Sequence, residues 1–431
     1  MEVKRDKYLK ELISKRFNGM VKVITGMRRS GKSYLLFNLF GEYLCENGVS
    51  KENIIRIELD QISNIKYRNP IFLDEYIREC VEKASGDCYL FVDEIQFVES
   101  VKNPYVENGK EITFYDVLNG LMRISGLDVY VTGSNSKMLS SDILTEFRGR
   151  GDEVHVAPLT FFEFMSVYDG DKYDGWLEYY TYGGMPAIIQ RRDNEHKAAY
   201  LNSLFEETYI KDIVERNGVK NVADLKELLN VLSSSIGSLT NALKLESTFR
   251  SVKKSDISKN TIDKYIEHLE DSFLIKKAMR YDVKGRKYIN TPVKYYFTDV
   301  GLRNVRLNFR QQEENHIMEN IIYNELIYRG YHVDVGIVEI KEKNSENKYQ
   351  RKQLEVDFIA TKGSEKYYIQ SALSMQTEEK VRQEQKSLIN IDDHFKKIVV
   401  VKDNIMLKRD EKGIVTMSVL EFLLKSNSLE L

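Results

Sequence analysis

The residues with the clearest chemical meaning form the run GMRRSGKS at positions 26–33. This run fits the pattern G-x-x-x-x-G-K-S/T, follows the apolar run VKVIT and precedes a stretch with helical periodicity. Glycines let the backbone turn tightly and bring its N–H groups onto phosphate oxygens, and the positive end of the following helix faces the same oxygens. Lys32 supplies a point charge for the β- and γ-phosphates, and Ser33 supplies an oxygen ligand for Mg²⁺.

The spacing therefore predicts a site for ATP and Mg²⁺ in this run. Its two arginines either contact phosphate or are simply exposed. The predicted nucleotide contacts are Gly26, Arg28, Arg29, Ser30, Gly31, Lys32 and Ser33.

Two acidic residues end another informative run, CYLFVDE, which closes with Asp93 and Glu94. A continuous apolar run of this kind is typical of a fully buried parallel strand, and ligands bind at the carboxyl ends of the strands in open α/β sheets. We predict that Asp93 holds Mg²⁺, directly or through a water molecule. Glu94 is then placed to orient or deprotonate the water that attacks the γ-phosphate.

Two further runs supply polar candidates for the same chemistry. VYVTGSN is typical of another buried strand with small polar residues at its end. If that strand lies between the strands of the first two motifs, Ser134 or Asn135 could reach the γ-phosphate or the water; otherwise these residues cap a turn. In EFRGRG, Arg148 or Arg150 could stabilise a transferring phosphoryl group from a neighbouring subunit or across a domain gap. The alternative for both arginines is a surface ion pair.

These motifs need a scaffold that brings strand ends together, and residues 1–160 have its pattern. Short runs rich in Val, Ile and aromatic residues alternate there with helix-like stretches, which favours a parallel sheet covered by helices on both faces. Residues 161–250 are mostly helical in pattern and predict a lid or connector. We place a winged-helix-like segment at 251–304 and a second α/β domain at 305–431.

Composition limits the class of protein. The 431 residues contain 64 Lys and Arg against 66 Asp and Glu, so the net charge of −2 predicts no nucleic-acid or membrane partner for the chain as a whole. The first residues lack a secretory pattern, and no apolar run is long enough to cross a bilayer. The 3 cysteines have no pattern that suggests disulfides. We therefore expect a cytoplasmic protein of several domains.

Taken together, GMRRSGKS, YLFVDEIQ, VTGSNS and FRGRG followed by PLTFFEF resemble the prokaryotic AAA+-like P-loop ATPases of the AAA_14 class. In that class the C-terminal half is the domain of unknown function DUF4143. The resemblance covers almost the whole chain, including the run YGGMP after the ATPase core. It implies the nucleotide, metal and water contacts already named, with a sensor at Ser134 or Asn135. It assigns no lid arginine of the usual AAA+ kind. The resemblance therefore does not imply a standard hexameric ring.

The segment SDISKNTIDKYIEHLEDSFLI predicts a helix-turn-helix, with Ser258 as the N-cap of its second helix and an apolar stripe of Ile262, Ile266 and Leu269. Two β-like runs with a basic tip follow, so the segment resembles a winged helix. One interpretation is DNA binding; the other is a protein-binding or structural winged helix, because nearby acidic side chains would repel phosphate. The residues that would contact DNA are Lys259, Lys264, Lys284 and Arg286.

The C-terminal α/β domain resembles the restriction-endonuclease-like core. That fold places one carboxylate on a helix, a second on a strand and an E-x-K triplet on the next strand. Glu319, Glu355 and Asp357 fit the carboxylates, but Gln370 and Ala372 stand where the acid and the lysine are needed. Because an amide binds Mg²⁺ weakly and alanine cannot activate water, we predict that this domain lacks nuclease activity.

The sequence thus predicts an α/β protein with a P-loop NTPase parallel sheet, a helical lid, a winged-helix domain and an endonuclease-like domain. Our leading hypothesis is an ATPase whose hydrolysis of Mg·ATP switches the C-terminal domains, which would bind DNA or protein. The alternative is a nucleotide-responsive binding scaffold with little turnover. A homo-oligomer is a further expectation, since an arginine acting between subunits requires one.

Overall fold

The structure is a computed structural model that describes residues 3–106, 109–134, 150–253, 256–343 and 349–431. The chain divides into two compact units. The nucleotide-motif unit consists of the residues up to 158 together with 271–273, and the C-terminal unit consists of residues 159–270 and 274–431. Across the described residues, no helix combines the length and the apolar character needed to span a bilayer.

The nucleotide-motif unit contains one five-stranded sheet with helices packed on it. Its short 3₁₀ turns are Lys51–Asn53, Ile62–Arg68 and Ile95–Phe97. Its helices and strands are α1 (Asp6–Ser14), β1 (Val21–Thr25), α2 (Lys32–Tyr34, continued by π-helical Leu35–Phe40 and by Gly41–Glu46), β2 (Ile54–Glu58), α3 (Pro70–Lys83), β3 (Cys88–Asp93), α4 (Phe114–Leu121), β4 (Leu127–Thr132) and β5 (Gly151–His155).

The five strands are all parallel and follow the order β2-β3-β4-β1-β5. Every residue of β1, β3 and β4 is buried, whereas β2 and β5 at the edges are partly open to solvent. This is the pattern expected of apolar strands covered on both faces. The predicted parallel sheet of a P-loop NTPase is confirmed.

The C-terminal unit begins with helices and ends in a large mixed sheet. Its elements are α5 (Phe161–Met165), α6 (Lys172–Tyr182), the 3₁₀ turn Pro186–Ile188, α7 (Asn194–Ser203, continued by π-helical Leu204–Ile210 and by Lys211–Asn217), α8 (Val222–Ser234), α9 (Ala242–Thr248, continued by π-helical Phe249–Lys253), α10 (Lys259–Asp271), β6 (Ile275–Asp282), β7 (Lys287–Phe297), α11 (Val300–Arg306), α12 (Glu314–Tyr328), β8 (His332–Lys343), β9 (Tyr349–Lys362), β10 (Glu365–Ala372), α13 (Glu378–Ile389), β11 (Lys396–Val401), β12 (Lys408–Arg409), β13 (Val415–Ser418) and α14 (Val419–Leu424).

Eight strands of this unit form a single sheet in the order β12-β13-β11-β10-β9-β8-β6-β7. Strands β8, β9 and β10 form an antiparallel meander after α12, and β11 then pairs in parallel with β10. The hairpin β6–β7 joins the same sheet, because Arg280 of β6 pairs in parallel register with Val335 of β8. The winged-helix-like and endonuclease-like segments therefore share one sheet across the expected boundary at residue 304.

The run YGGMP forms a tight turn against the start of α11. The backbone N–H of Gly184 donates to Asp299 Oδ2 at 2.7 Å, and Asp299 Oδ1 accepts from the backbone N–H of Leu302 at 3.0 Å. Gly183 has φ +75°, and a Cβ at this position would lie 2.4 Å from Asp299 Oδ1. Both observations explain why glycine stands here, since a side chain would be strained and would also collide with the cap of α11.

We expect Gly183→Ala to destabilise the protein by at least about 2 kcal/mol, because its backbone conformation, φ +75° and ψ −167°, is almost restricted to glycine and costs other residues roughly 1–3 kcal/mol, and the clash adds to that. Urea unfolding at 25 °C measures the change. Gly218→Ala is the matched control, since Gly218 also has a positive φ, +58°, but a Cβ there would meet no atom within 4 Å. Equal losses of stability in the two variants would contradict the proposed role of the Gly183 turn.

Candidate functional site

The strand order brings the predicted motifs to one edge of the parallel sheet. β4 lies between β1, which leads into the GMRRSGKS run, and β3, which ends at Asp93. This is the condition under which Ser134 was expected to reach the site. Because the carboxyl ends of parallel strands lie at the same edge, the side chains that follow β1, β3 and β4 converge there.

The loop between β1 and α2 closes around its own lysine. Lys32 is 4% exposed, and its Nζ donates to the carbonyl oxygens of Gly26 at 3.0 Å and Met27 at 2.8 Å. Burial lowers the pKa of Lys32, and the nearby charges of Glu94 and Asp93 offset part of that effect. The ammonium group is thus held by two neutral carbonyls at the bottom of a loop, where an anionic ligand would stabilise its charge.

Gly26 makes this loop geometry possible. Its φ is +134°, and a Cβ there would lie 2.2 Å from the carbonyl oxygen of Val156. Gly31, at the start of α2, has φ +95°. Both positions require glycine for the backbone path that the pattern G-x-x-x-x-G-K-S/T predicts.

Asp93 and Ser33 meet beside the loop. Ser33 Oγ donates to Asp93 Oδ1 at 3.0 Å, and Thr132 Oγ1 donates to the same carboxylate oxygen. Burial raises the pKa of Asp93, and these two hydrogen bonds offset part of the rise. A carboxylate and a hydroxyl at this distance are oxygen ligands of the kind that Mg²⁺ prefers, so the pair fits the predicted metal. A bound Mg²⁺ would also favour the ionised form of the carboxyl group.

Glu94 follows β3 with its backbone in a left-handed conformation, φ +53°. Its N–H donates to Thr132 Oγ1 at 3.0 Å, which holds the main chain in this uncommon geometry. Its carboxylate accepts from the amide of Gln96 and from Ser134 Oγ at 3.5 Å, and Arg28 Nε donates to the same Ser134 oxygen at 3.3 Å. The chain therefore positions Glu94 through both its backbone and its carboxylate.

Thr132 and Gln96 are site residues that the sequence analysis did not single out. Thr132 could have been identified from the sequence, because it is a polar residue at the last position of a strand. In the structure it contacts both Asp93 and the Glu94 backbone. Gln96 lies in a short 3₁₀ turn and has no such signal.

The four predicted arginines do not share one location. Arg28 is half-buried and bonds to Ser134, whereas Arg29 is exposed, with φ +64°. Asn135 and Arg148 lie outside the described residues. Arg150 is exposed and precedes β5, where its carbonyl accepts from the N–H of Val21 at 3.0 Å.

The position of Arg150 relative to the phosphate motif follows from the start of β1. Val21 is the first residue of β1, while the phosphate motif follows the last one, Thr25. A strand of this length spans roughly 16 Å, so Arg150 lies at the opposite edge of the sheet from Lys32. It takes no part in the site of its own chain, so a role in phosphoryl transfer would require a neighbouring subunit, and a surface ion pair is the alternative.

A second polar cluster lies in the C-terminal unit. Lys294 Nζ lies 2.8 Å from Glu319 Oε1 and 2.7 Å from Glu355 Oε1, and Tyr296 OH donates to Glu319 Oε1 at 2.6 Å. Asp357 Oδ2 accepts from the backbone N–H of Ser371 at 2.8 Å. The three carboxylates predicted from the endonuclease-like pattern are thus grouped around a lysine from β7, which the sequence analysis did not identify.

Lys294 and the carboxylates of this cluster shift one another's pKa values. Burial alone would lower the pKa of Lys294, but the charges of Glu319, Asp357 and Glu355 raise it. Burial would raise the pKa of Glu319, and the Lys294 charge reverses that effect. Burial and the neighbouring Glu319 charge raise the pKa of Asp357. The lysine is therefore the internal counter-ion of a buried acidic group.

Residues Gln370 and Ala372 do not face this cluster. Gln370 Oε1 accepts from Ser387 Oγ of α13 at 3.4 Å, and Ala372 packs in the apolar core that includes Leu388 of the same helix. On β9, a register shift opposite Asp334 and Gly336 forms a bulge next to Asp357. Gln370 and Ala372 therefore do not occupy the positions beside the carboxylates that the endonuclease-like pattern gives to the acid and the lysine, and the absence of nuclease activity stays a prediction.

The predicted DNA-contacting side chains lie on the surface. α10 begins after Ser258, whose Oγ accepts from the backbone N–H of Thr261 at 3.3 Å, and its apolar stripe is buried as predicted. Lys284 Nζ lies 3.9 Å from Asp392 Oδ2, so part of the basic tip is paired with an acid. All four residues that were predicted to contact DNA are exposed, namely Lys259, Lys264, Lys284 and Arg286.

Two known protein families match parts of the chain. Residues 18–165 match the AAA_14 family, described as an AAA domain. Residues 173–313 match DUF8612, a domain of unknown function, whereas the sequence had led us to expect DUF4143 in this half.

Two solved structures cover much of the chain at low similarity. They are the Aeropyrum pernix ORC1 protein in complex with DNA (12% identity, TM-score 0.29, 72% of this chain and 93% of that chain) and a DNA polymerase III gamma subunit-related protein from Thermotoga maritima (12% identity, TM-score 0.28, 62% and 99%). At these TM-scores the likeness supports no conclusion about this chain.

Two relatives extend over most of the sequence. "Uncharacterized protein MJ1544" of Methanocaldococcus jannaschii is 26% identical over 381 residues, which are 84% of this chain and 77% of that protein. An "Uncharacterized protein" of Haemophilus influenzae is 31% identical over 428 residues, which are 98% of this chain and 99% of that protein. The chain therefore belongs to the family of the Haemophilus influenzae protein, and its nucleotide-motif unit carries an AAA domain of the P-loop type.

Proposed function

We propose that this protein binds ATP with Mg²⁺ at the loop 26–33 and hydrolyses it. The observation that carries the proposal is the convergence of Lys32, Ser33, Asp93 and Glu94 at one sheet edge, with Ser33 hydrogen-bonded to Asp93 at 3.0 Å. A loop of backbone N–H groups, an ammonium group, a pair of metal ligands and a carboxylate are together the parts that phosphoryl transfer to water requires.

Each side chain has a defined role in the proposed reaction. The β- and γ-phosphates would replace the two carbonyls that now hold the Lys32 ammonium group. Ser33 and Asp93 would hold Mg²⁺, which supplies charge neutralisation for the phosphates. Glu94 accepts a proton from the attacking water molecule. The water oxygen forms a bond to the γ-phosphorus, and the bond between the γ-phosphorus and the oxygen that bridges it to the β-phosphate breaks. Ser134 orients Glu94, and Arg28 orients Ser134.

The output of this reaction is proposed to be a switch in the C-terminal unit. Lysines and an arginine at the start of α10 and at the β6–β7 tip present exposed positive charge, which suits DNA phosphates. Exposed acids such as Asp263 and Glu267 lie on the same helix and favour a protein partner instead. The alternative to a switch is a scaffold that binds nucleotide with little turnover.

An arginine acting between subunits is part of the same proposal. Arg150 is exposed at the edge of the sheet opposite Lys32 and could serve only a neighbouring copy, and Arg148 is the other candidate. Such a contribution requires a homo-oligomer whose sites lie between protomers.

Steady-state ATP turnover, measured with and without duplex DNA and together with the mass in solution, tests the proposed function. We expect Mg²⁺-dependent turnover that rises with a macromolecular partner. Tight ATP binding without turnover under all conditions would favour the scaffold, and an absence of ATP binding would contradict both.

The same reactions, scanned with Mg²⁺ and Mn²⁺, should show no DNA cleavage. Robust cleavage that is lost in Asp357→Ala would overturn the prediction of an inactive endonuclease-like domain.

A further inference from the structure

An arginine outside the motif contacts the backbone of the loop 26–33. Arg5, the residue before α1, is 5% exposed. Its Nη1 donates to the carbonyl oxygen of Ser30 at 3.3 Å, and its Nη2 donates to the carbonyl oxygen of Ala157 at 2.6 Å. One guanidinium group therefore joins the phosphate loop to the segment that follows β5.

The bond to Ser30 determines where the next N–H group points. The peptide unit between Ser30 and Gly31 is planar, and in a trans peptide the C=O and N–H groups point in opposite directions. Because the carbonyl is held toward Arg5, the N–H of Gly31 faces the other side of the loop. Backbone N–H groups on that side are the ones that bind phosphate oxygens in loops of this pattern.

The second bond anchors the guanidinium group itself. The segment that carries Ala157 lies against the loop, since the carbonyl of Val156 closely approaches Gly26. The backbone N–H of Ala157 donates to the hydroxyl of Tyr8 at 3.0 Å, and the Arg5 guanidinium carbon lies 4.8 Å from the centre of the Tyr8 ring. Arg5 is thus fixed from two sides, and the forked geometry of its guanidinium group lets it donate to two carbonyls at once.

We propose that Arg5 is a positioning residue of the nucleotide site, which holds the Ser30–Gly31 peptide with its N–H toward the phosphates of the bound nucleotide. This inference rests on the proposed ATP site and extends it to a residue outside the motif. Arg5 also places a buried positive charge next to the loop, and this charge favours the binding of an anionic ligand there. No step of the reaction requires Arg5 to touch the substrate.

The test compares Mg·ATP affinity and turnover in Arg5→Gln, Arg5→Lys and two controls. Arg5→Gln removes the charged hydrogen bond that orients the Ser30–Gly31 peptide. We therefore expect the Kd for ATP to rise about tenfold or more and kcat/KM to fall in parallel. Arg5→Lys keeps the charge but not the fork, and its affinity should lie between those of Arg5→Gln and the unchanged protein. The conservative variant also separates a positioning role from a loss of folding.

Two variants control for the surroundings. Lys4→Gln removes an exposed positive charge beside Arg5, and Tyr8→Phe removes the hydroxyl that contacts Ala157 but not the bond to Ser30. Lys4→Gln should bind ATP within about twofold of the unchanged protein, and Tyr8→Phe should weaken binding by less than Arg5→Gln does, because the bond from Arg5 to Ser30 stays in place. If Tyr8→Phe weakened binding as much as Arg5→Gln, a general structural role would replace the proposed one.

The outcomes distinguish this inference from the proposed function. Unaltered ATP affinity in folded Arg5→Gln and Arg5→Lys, with binding intact in the unchanged protein, would overturn only the role of Arg5. An unchanged protein that binds no ATP would overturn the site itself. Folding of each variant is established by its unfolding transition before binding is compared.

Discussion

Glu94→Gln is expected to reduce steady-state ATP turnover by on the order of 100- to 10,000-fold, because a positioned general base contributes about that much. Glutamine has the same shape, and its amide oxygen can still accept from Ser134 Oγ, which lies 3.5 Å from the Glu94 carboxylate. It cannot take a proton from water. The variant should therefore bind Mg·ATP with an affinity similar to or better than that of the unchanged protein, since a negative charge near the phosphates is lost.

Phosphate release under single-turnover conditions, with a separate measurement of the Kd for ATP, checks this expectation. Glu99→Gln is the matched control, because Glu99 is an exposed glutamate a few residues further along the chain, and its substitution should leave both quantities unchanged. Full turnover in Glu94→Gln would show that another group prepares the water.

Lys294→Met should lower the stability of the C-terminal unit by about 3–5 kcal/mol, the usual result of removing one partner from a buried ion pair. Lys294 is 3% exposed, and its ammonium group contacts Glu319 and Glu355 at 2.8 and 2.7 Å. Without it, the 4% exposed Glu319 and the 7% exposed Asp357 would be left as neighbouring buried acids without their lysine counter-ion. Urea unfolding followed through the C-terminal unit measures the loss.

Two companion variants make the interpretation specific. Lys287→Met removes an exposed lysine from the same strand, β7, and should change stability by less than about 1 kcal/mol. Lys294→Met combined with Glu319→Gln removes both charges of the pair and should recover part of the lost stability. If Lys294→Met were as stable as the Lys287 variant, the ammonium group would not be the counter-ion of this cluster.

Much of the nucleotide-motif unit could be predicted from the sequence because its signals are local. The strand before the loop leads directly into the GMRRSGKS run, and the continuous apolar strand β3 ends at Asp93, so each strand is followed or ended by residues with an obvious chemical role. The proximity of Ser134 to Glu94 depends on the strand order, because β4 must lie between β1 and β3, and no local pattern specifies that order. The contacts of Thr132 follow from that order as well.

Other parts depend on contacts between distant segments, which no local pattern encodes. Arg5 reaches Ala157 across 152 positions of sequence. Lys294 joins Glu319 and Glu355 from a strand that was assigned to a winged helix, and only the parallel pairing of β6 with β8 places that strand in the large sheet. The distance of Arg150 from Lys32 likewise follows only from the pairing of β5 with β1.

The binding of Mg·ATP by the unchanged protein and by Lys32→Ala, measured by isothermal titration calorimetry, tests the central claim most directly. The ammonium group of Lys32 is held by the carbonyls of Gly26 and Met27, and we expect it to transfer to the phosphates of ATP. The unchanged protein should therefore release or absorb heat on binding one ATP per site, and Lys32→Ala should lose at least about 100-fold in affinity while remaining folded. Equal affinities in the two proteins, or no binding by either, would contradict the account.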